Sequence, residues 1–345
     1  MLLVVAALSF GVLALIARFA DFRQVRDALA AANPAWFVLC GAGVVVIFLG
    51  YALAYRGFVR VADGPDLPFS TALRVSLAAV GAGVVAASVG TLAVGFWAIR
   101  REGVSGSEAT RRLLAMSTYQ WFVLGWAAVA CGCLLLVTGA DAMPIAMVVV
   151  WIVLVPTATV IGLLASGPER RARTDSWAKE RATARAGTRR ARLTAVVRGA
   201  YAEAIGGLVL MRAVLRAPAR HPAGVVGFPL YWLGHTTVVI GALRSVDVQI
   251  GLPALLVAFT TGYVASGVPL PGGAGSVDAG LALALAAVRV PLAEAVVATL
   301  VYRFFTLWLP VVPALVVAPG LARRLDAVRR TQPSARFGRT PPEGA

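Results

Sequence analysis

Apolar runs alternate with short polar breaks along most of the chain. About 20 consecutive apolar residues let a helix cross a bilayer. On that ruler Met1–Ala17 is a first run, Ala35–Tyr55 a second opened by Asn33-Pro34, and Leu77–Ile99 a third. Leu113–Val137, Met143–Ala165 and Gly224–Leu243 are the fourth, fifth and sixth. The first run has no basic n-region and ends at Arg18, so a cleaved signal peptide is not expected. The third is rich in Gly, Ala and Ser, which suits close helix–helix packing. After residue 251 the pattern changes. Leu252–Val268 and Val277–Val290 both fall short of the ruler, and between them lies Pro269-Leu270-Pro271-Gly272-Gly273-Ala274-Gly275-Ser276. Leu292–Ala318 follows, broken by Pro310 and Pro313. Short apolar segments around a Gly/Pro loop predict a re-entrant pair or a broken helix.

Composition agrees: 59% of residues are hydrophobic and 14% charged, against about a quarter charged in soluble domains. The expected fold class is an all-α polytopic membrane helix bundle of about seven to nine spans. Residues 1–321 form the membrane domain and 322–345 a basic, disordered cytoplasmic tail. Of the net charge of +16, 13 sits in two segments: 166–222 carries +9 and 323–345 carries +4. Basic loops of that kind mark the cytoplasmic side. No aromatic platform accompanies the charge, so nucleic acid is not an expected partner. Loops 18–34, 100–112 and 166–222 hold three, four and thirteen basic residues. As alternate loops they predict an outside N-terminus and a cytoplasmic C-terminus in a multi-pass protein of the cell membrane. Within 166–222, Leu193, Val197, Tyr201, Ala204, Leu208 and Met211 have helical spacing, which fits either an interfacial amphipathic helix or a solvated one.

Catalytic signatures are sparse. No phosphate loop, nucleophile elbow or carboxylate pair at helical spacing is present, so neither an enzyme activity nor a cofactor is expected. The three cysteines lack metal-ligand spacing. His221 adjoins Pro222 in the basic loop and reads as solvated, whereas His235 lies inside the sixth run, as a structural hydrogen-bonder or a proton relay. Arg303 lies at least eleven residues from either end of its run, too deep to reach the interface, so it needs a carboxylate or an anionic ligand. Asp278 is its nearest candidate partner, with Ser276 as the expected N-cap of the helix after the loop. Two readings stand: a structural Arg303–Asp278 pair, or a phosphate site made by a helix N-terminus, glycines 272, 273 and 275, and the arginine.

The run Val268-Pro269-Leu270-Pro271-Gly272-Gly273-Ala274-Gly275-Ser276-Val277-Asp278, with Val301-Tyr302-Arg303 and Trp308-Leu309-Pro310, resembles the transmembrane regions of lysylphosphatidylglycerol synthases, also called flippase-like domain proteins. That family shows a Pro-Gly-Gly-x-Gly loop, an acid shortly after it, and a Tyr-Arg or similar pair further along. Arg56, ending the second run, is a weaker match. Two departures stand out. The family usually has Glu where this chain has Asp278. A third-span motif like Pro-x-Arg-x-Gly-Glu is replaced by Ala87-Ser88-Val89-Gly90-Thr91.

The resemblance implies a domain that moves an anionic, aminoacylated or polyprenyl-linked lipid between leaflets. Pro271, Gly272, Gly273, Gly275, Ser276, Asp278, Tyr302 and Arg303 would receive the headgroup. Membrane lipids and envelope-synthesis enzymes are the implied partners. The alternative is a non-transporting scaffold or accessory of envelope lipid or glycan synthesis. The aminoacyl-transferring part of such synthases is a separate soluble domain, which the short segment after the last run is not expected to supply.

Overall fold

The computed structural model describes residues 11–15, 18, 22–139, 143–167, 189–267, 275–317 and 320. The expected elements within 1–10, 168–188, 268–274 and 321–345 lie outside them. Among the described residues every regular element is helical. α1 is Phe22–Ala30, α2 Phe37–Arg60, α3 Phe69–Arg101, α4 Gly106–Thr138 and α5 Ile145–Ala165. α6 is Arg189–Arg216, α7 Pro222–Ser245, α8 Leu252–Tyr263 and α9 Ser276–Ala287. α10 is the helical stretch Leu292–Val317. Among the described residues five stretches are long and apolar enough to cross a membrane: Pro34–Arg60, α4, α5, α7 and α10.

The centre of the bundle is an antiparallel α2–α7 pair whose backbones touch. Glycines 43, 50 and 57 on α2 and 227, 234 and 241 on α7 recur at a heptad spacing, so each set forms one stripe. A Cβ added at Gly43 would stand 2.8 Å from the Gly234 carbonyl oxygen, and one at Gly50 2.7 Å from that of Gly227. At Gly241 it would stand 2.7 Å from Cys40 Sγ. Without a hydrophobic drive between helices in lipid, such close backbone approach is what holds them together. The two stripes are related by one constant shift in sequence: 43 answers to 227, 50 to 234 and 57 to 241. The same shift carries α2 onto α7, α3 onto α8–α9, and α4 onto α10. Because α2 and α7 run in opposite directions, the bundle is an inverted repeat, an arrangement found in many transporters.

α3 is where the structure departs most from the single span expected at Leu77–Ile99. Thr91 Oγ1 donates to the Ala79 carbonyl at 3.2 Å. On a straight helix that separation would be about 18 Å, so α3 folds back sharply between Gly83 and Thr91. The counterpart, α8 and α9, is the expected pair of short helices, each of 12 residues. Gly262 and Gly280 let them touch: a Cβ on Gly280 would stand 2.6 Å from the Gly262 carbonyl oxygen.

This folding changes the expected arrangement of loops. Asn33 N–H bonds the Ser245 carbonyl at 2.7 Å, at one end of the α2–α7 pair. At the other end the buried Arg112 guanidinium donates to the carbonyls of Val59 at 3.1 Å and Ala62 at 3.5 Å, satisfying orphan acceptors where α2 stops, while Glu108 accepts from it at 2.6 Å. Loops 18–34 and 100–112 therefore lie at opposite ends of α2 and do not share a face. The hairpin in α3 returns the chain to the side it left, so loops no longer alternate as expected. An outside N-terminus rested on that alternation and loses its support.

α6 packs along α4, where Gly206 and Gly207 meet Arg111 and Leu114, and Arg111 Nε pairs with Glu203 at 2.9 Å. Its packed face is Ala202, Ile205 and Val214, whereas Val197 and Tyr201 of the expected apolar stripe look outward. α5 sits at the periphery, with apolar Val150, Val153, Ile161 and Leu164 exposed.

Candidate functional site

Arg303 is the twelfth residue of the 26-residue α10, at the middle of a membrane-length helix. Directly after it, Phe304–Trp308 widens into a π-helical turn. Pro310 explains the widening: its ring would collide with the carbonyl four residues before it and it has no N–H to give. Such turns redirect side chains and concentrate at functional sites.

The carboxylate that Arg303 needs is supplied by Asp278. Arg303 Nε stands 2.7 Å from Asp278 Oδ1, with the side chains 9% and 0% exposed. The geometry is a close approach of charges rather than an aligned hydrogen bond. The other carboxylate oxygen, Oδ2, accepts from Gly275 N–H at 2.7 Å. Gly275, at φ 81°, is the N-cap of α9, and Ser276, expected to be the cap, is the first residue of the helix instead. Only glycine takes that backbone conformation readily. Asp278, three residues past the cap, reaches back to the cap N–H as the acidic partner of a capping box does.

Residues Pro271, Gly272 and Gly273 lie outside the described residues. Tyr302, Arg303, Asp278, Gly275 and Ser276 come together at the N-terminus of α9. Arg56 does not join them; four residues before the end of α2, it forms a half-exposed pair with Asp66 at 3.1 Å.

Arg303 borders a cavity of about 370 Å³ between the two folded-back hairpins. Gly83, Val84 and Thr91 face it from α3, and Ser266, Gly267 and Val277 from the second hairpin. One wall is aromatic: Tyr51, Trp121, Tyr231, Tyr263 and Tyr302. His235 stands among these rings, its Nδ1 2.8 Å from Tyr302 Oη, while its buried Nε2 has no protein partner. Of the two roles open to His235, the structural bond is present, and Nε2 adds a group able to meet a ligand.

Sequence reasoning does not unite the aromatic wall with Gln120 and Ser117, because they come from helices remote in the chain. A glutamine inside an otherwise apolar run, and the tyrosines at 231, 263 and 302, are the available signal.

The shift that relates the two repeats sets Val94 and Tyr119 at the positions of Asp278 and Arg303, so the charged pair belongs to one repeat only. The missing third-span motif, around Thr91, maps to the uncharged hairpin of this same cavity. The site is thus a membrane-depth cavity with an arginine on one side, an aromatic wall and neutral polar groups.

No curated protein matches the chain. A family described as Lysylphosphatidylglycerol synthase TM region matches residues 2–314, most of the chain, and with five membrane-length helices the chain is a multi-pass membrane protein that belongs to that family.

Proposed function

We propose that this protein moves a phosphate-bearing lipid between leaflets, with the headgroup passing through the cavity beside Arg303. The supporting observation is Arg303 itself, a charge at mid-helix bordering a cavity in an otherwise apolar bundle. Charges at that depth are costly and are kept where a pathway needs them. Asp278 holds the arginine in place by charge, and the N-terminus of α9 adds the partial positive charge of its unpaired N–H groups. The inverted repeat supplies a motion, one hairpin-bearing half rocking against the other around the α2–α7 pair.

The lipid is anionic, aminoacylated or polyprenyl-linked in this reading. The protein is a transporter rather than an enzyme and needs no cofactor. The face carrying Arg60, Arg100 and Arg101 with the basic 166–222 segment is cytoplasmic, as is the C-terminal tail, and the membrane is the cell membrane. Partners beyond lipid would be envelope-synthesis enzymes.

The test is movement of a quenchable fluorescent phospholipid in proteoliposomes. Wild-type protein should accelerate it and Arg303→Ala, shown to be folded, should not. Equal movement with both proteins overturns the site.

A further inference from the structure

The lining of the cavity narrows the headgroup. Among the described residues no carboxylate borders it. Asp278 lies behind Arg303, is fully enclosed, and has one oxygen on Arg303 and the other on Gly275 N–H. Residues 85–88 and 268–274 contain no ionisable side chain in the sequence. The polar residues that line the cavity besides Arg303 are neutral, among them Gln120, Ser117, Ser266 and His235. His235 lines the cavity and is 5% exposed, and its Nε2, enclosed within the wall, has no hydrogen-bond partner in the protein. Buried polar groups without partners are uncommon and call for a ligand or water.

Resting on the transport reading above, we propose that the cavity takes a headgroup joining a phosphate to a polyol, such as glycerol or inositol, and discriminates against headgroups carrying an ammonium. The phosphate meets Arg303 and the α9 N-terminus. The hydroxyls meet Gln120, Ser117 and His235, while the aromatic wall packs on the apolar face of the polyol. An ammonium would have to shed tightly held water with no carboxylate to receive it. Aromatic faces attract cations, but Arg303 already brings positive charge to this space. A volume of about 370 Å³ is at the lower end for small-molecule sites, roughly 300–1,000 Å³, which fits a headgroup and not a whole lipid.

The experiment compares acyl-labelled lipids in one proteoliposome preparation: phosphatidylglycerol, phosphatidylinositol, phosphatidylmethanol and lysylphosphatidylglycerol. Phosphatidylglycerol and phosphatidylinositol should move at least tenfold faster than lysylphosphatidylglycerol. Phosphatidylmethanol, an anion with no free hydroxyl, should fall between. Gln120→Leu and His235→Asn, the latter keeping a group beside Tyr302, should slow phosphatidylglycerol by a larger factor than phosphatidylmethanol, closing the gap between the two; equal slowing of both lipids overturns the hydroxyl assignment. Lysylphosphatidylglycerol moving as fast as phosphatidylglycerol overturns the selectivity and leaves the transport reading standing. If no lipid moves faster than in empty vesicles, transport and selectivity fall together. Vesicles loaded with labelled glycerol 3-phosphate separate the two sources of a phosphate ester. They should retain it; its release without lipid movement would make the soluble ester the ligand and overturn the lipid assignment.

Discussion

Replacing Arg303 by Met removes the charge facing Asp278 while keeping a long apolar side chain. At 2.7 Å and an effective dielectric of ~20, the pair attracts by about 6 kcal/mol before desolvation is counted. Much of that is offset by the cost of burying both ions, so the informative quantity is the loss when one partner is removed, about 3–5 kcal/mol. Asp278 is 0% exposed and Arg303 borders the cavity. Arg303→Met should therefore cost more than Asp278→Asn, because the stranded arginine can still reach cavity water and the stranded carboxylate cannot. The double variant should recover most of the loss: the asparagine amide oxygen can still accept from Gly275 N–H, and no charge is left buried. Denaturation by sodium dodecyl sulfate in mixed micelles, followed by fluorescence of the eight tryptophans, measures all four proteins. A coupling energy of about 2 kcal/mol or more is expected. Single variants that each cost under ~1 kcal/mol, or a double variant equal to their sum, would refute the pairing argument.

Further consequences follow from other parts of the fold. Gly50→Ala should destabilise by more than the ~1–3 kcal/mol usual for overpacking, because the obstacle is the Gly227–Tyr231 backbone, while Gly41→Ala, with nothing within 4 Å, should be silent in the same denaturation assay. Arg112→Leu should cost about 2–4 kcal/mol by stranding the α2 carbonyls and should not be rescued by Arg112→Lys, which lacks the planar fork, as unfolding midpoints would show. In a variant whose native cysteines are replaced, Asp63→Cys and Ser107→Cys should react with an impermeant maleimide from the same side, and Asp247→Cys from the other. Labelling of the first two from opposite sides would remove the α3 hairpin.

How much of this was legible in the sequence depends on the range of the signal. Arg303 and Asp278 were readable because each is anomalous by itself: a charge at mid-span has to be answered, and an acid just after a glycine loop suits a helix start. The short α8 and α9 were readable because a Gly/Pro loop separates them. The α3 hairpin was not, since residues 84–91 hold no proline and only one glycine, Gly90, and the helix reverses without an interruption in its apolar pattern. The heptad glycines did carry a signal, but their meaning emerges only when 43, 50 and 57 are set against 227, 234 and 241. Ser276 was expected as the cap on residue type, and Gly275 took the position because the backbone there turns to φ 81°. The aromatic wall depends on packing of remote helices, which no local pattern encodes.

The central claim is that Arg303 serves a passing headgroup and not only its ion pair. The most direct measurement is phosphatidylglycerol movement in proteoliposomes by wild type, Arg303→Met and the Arg303→Met/Asp278→Asn double variant, each with its stability known. The account predicts that the double variant regains stability but moves lipid no faster than empty vesicles. A double variant that regains both would reduce the arginine to a structural counter-ion and contradict the account.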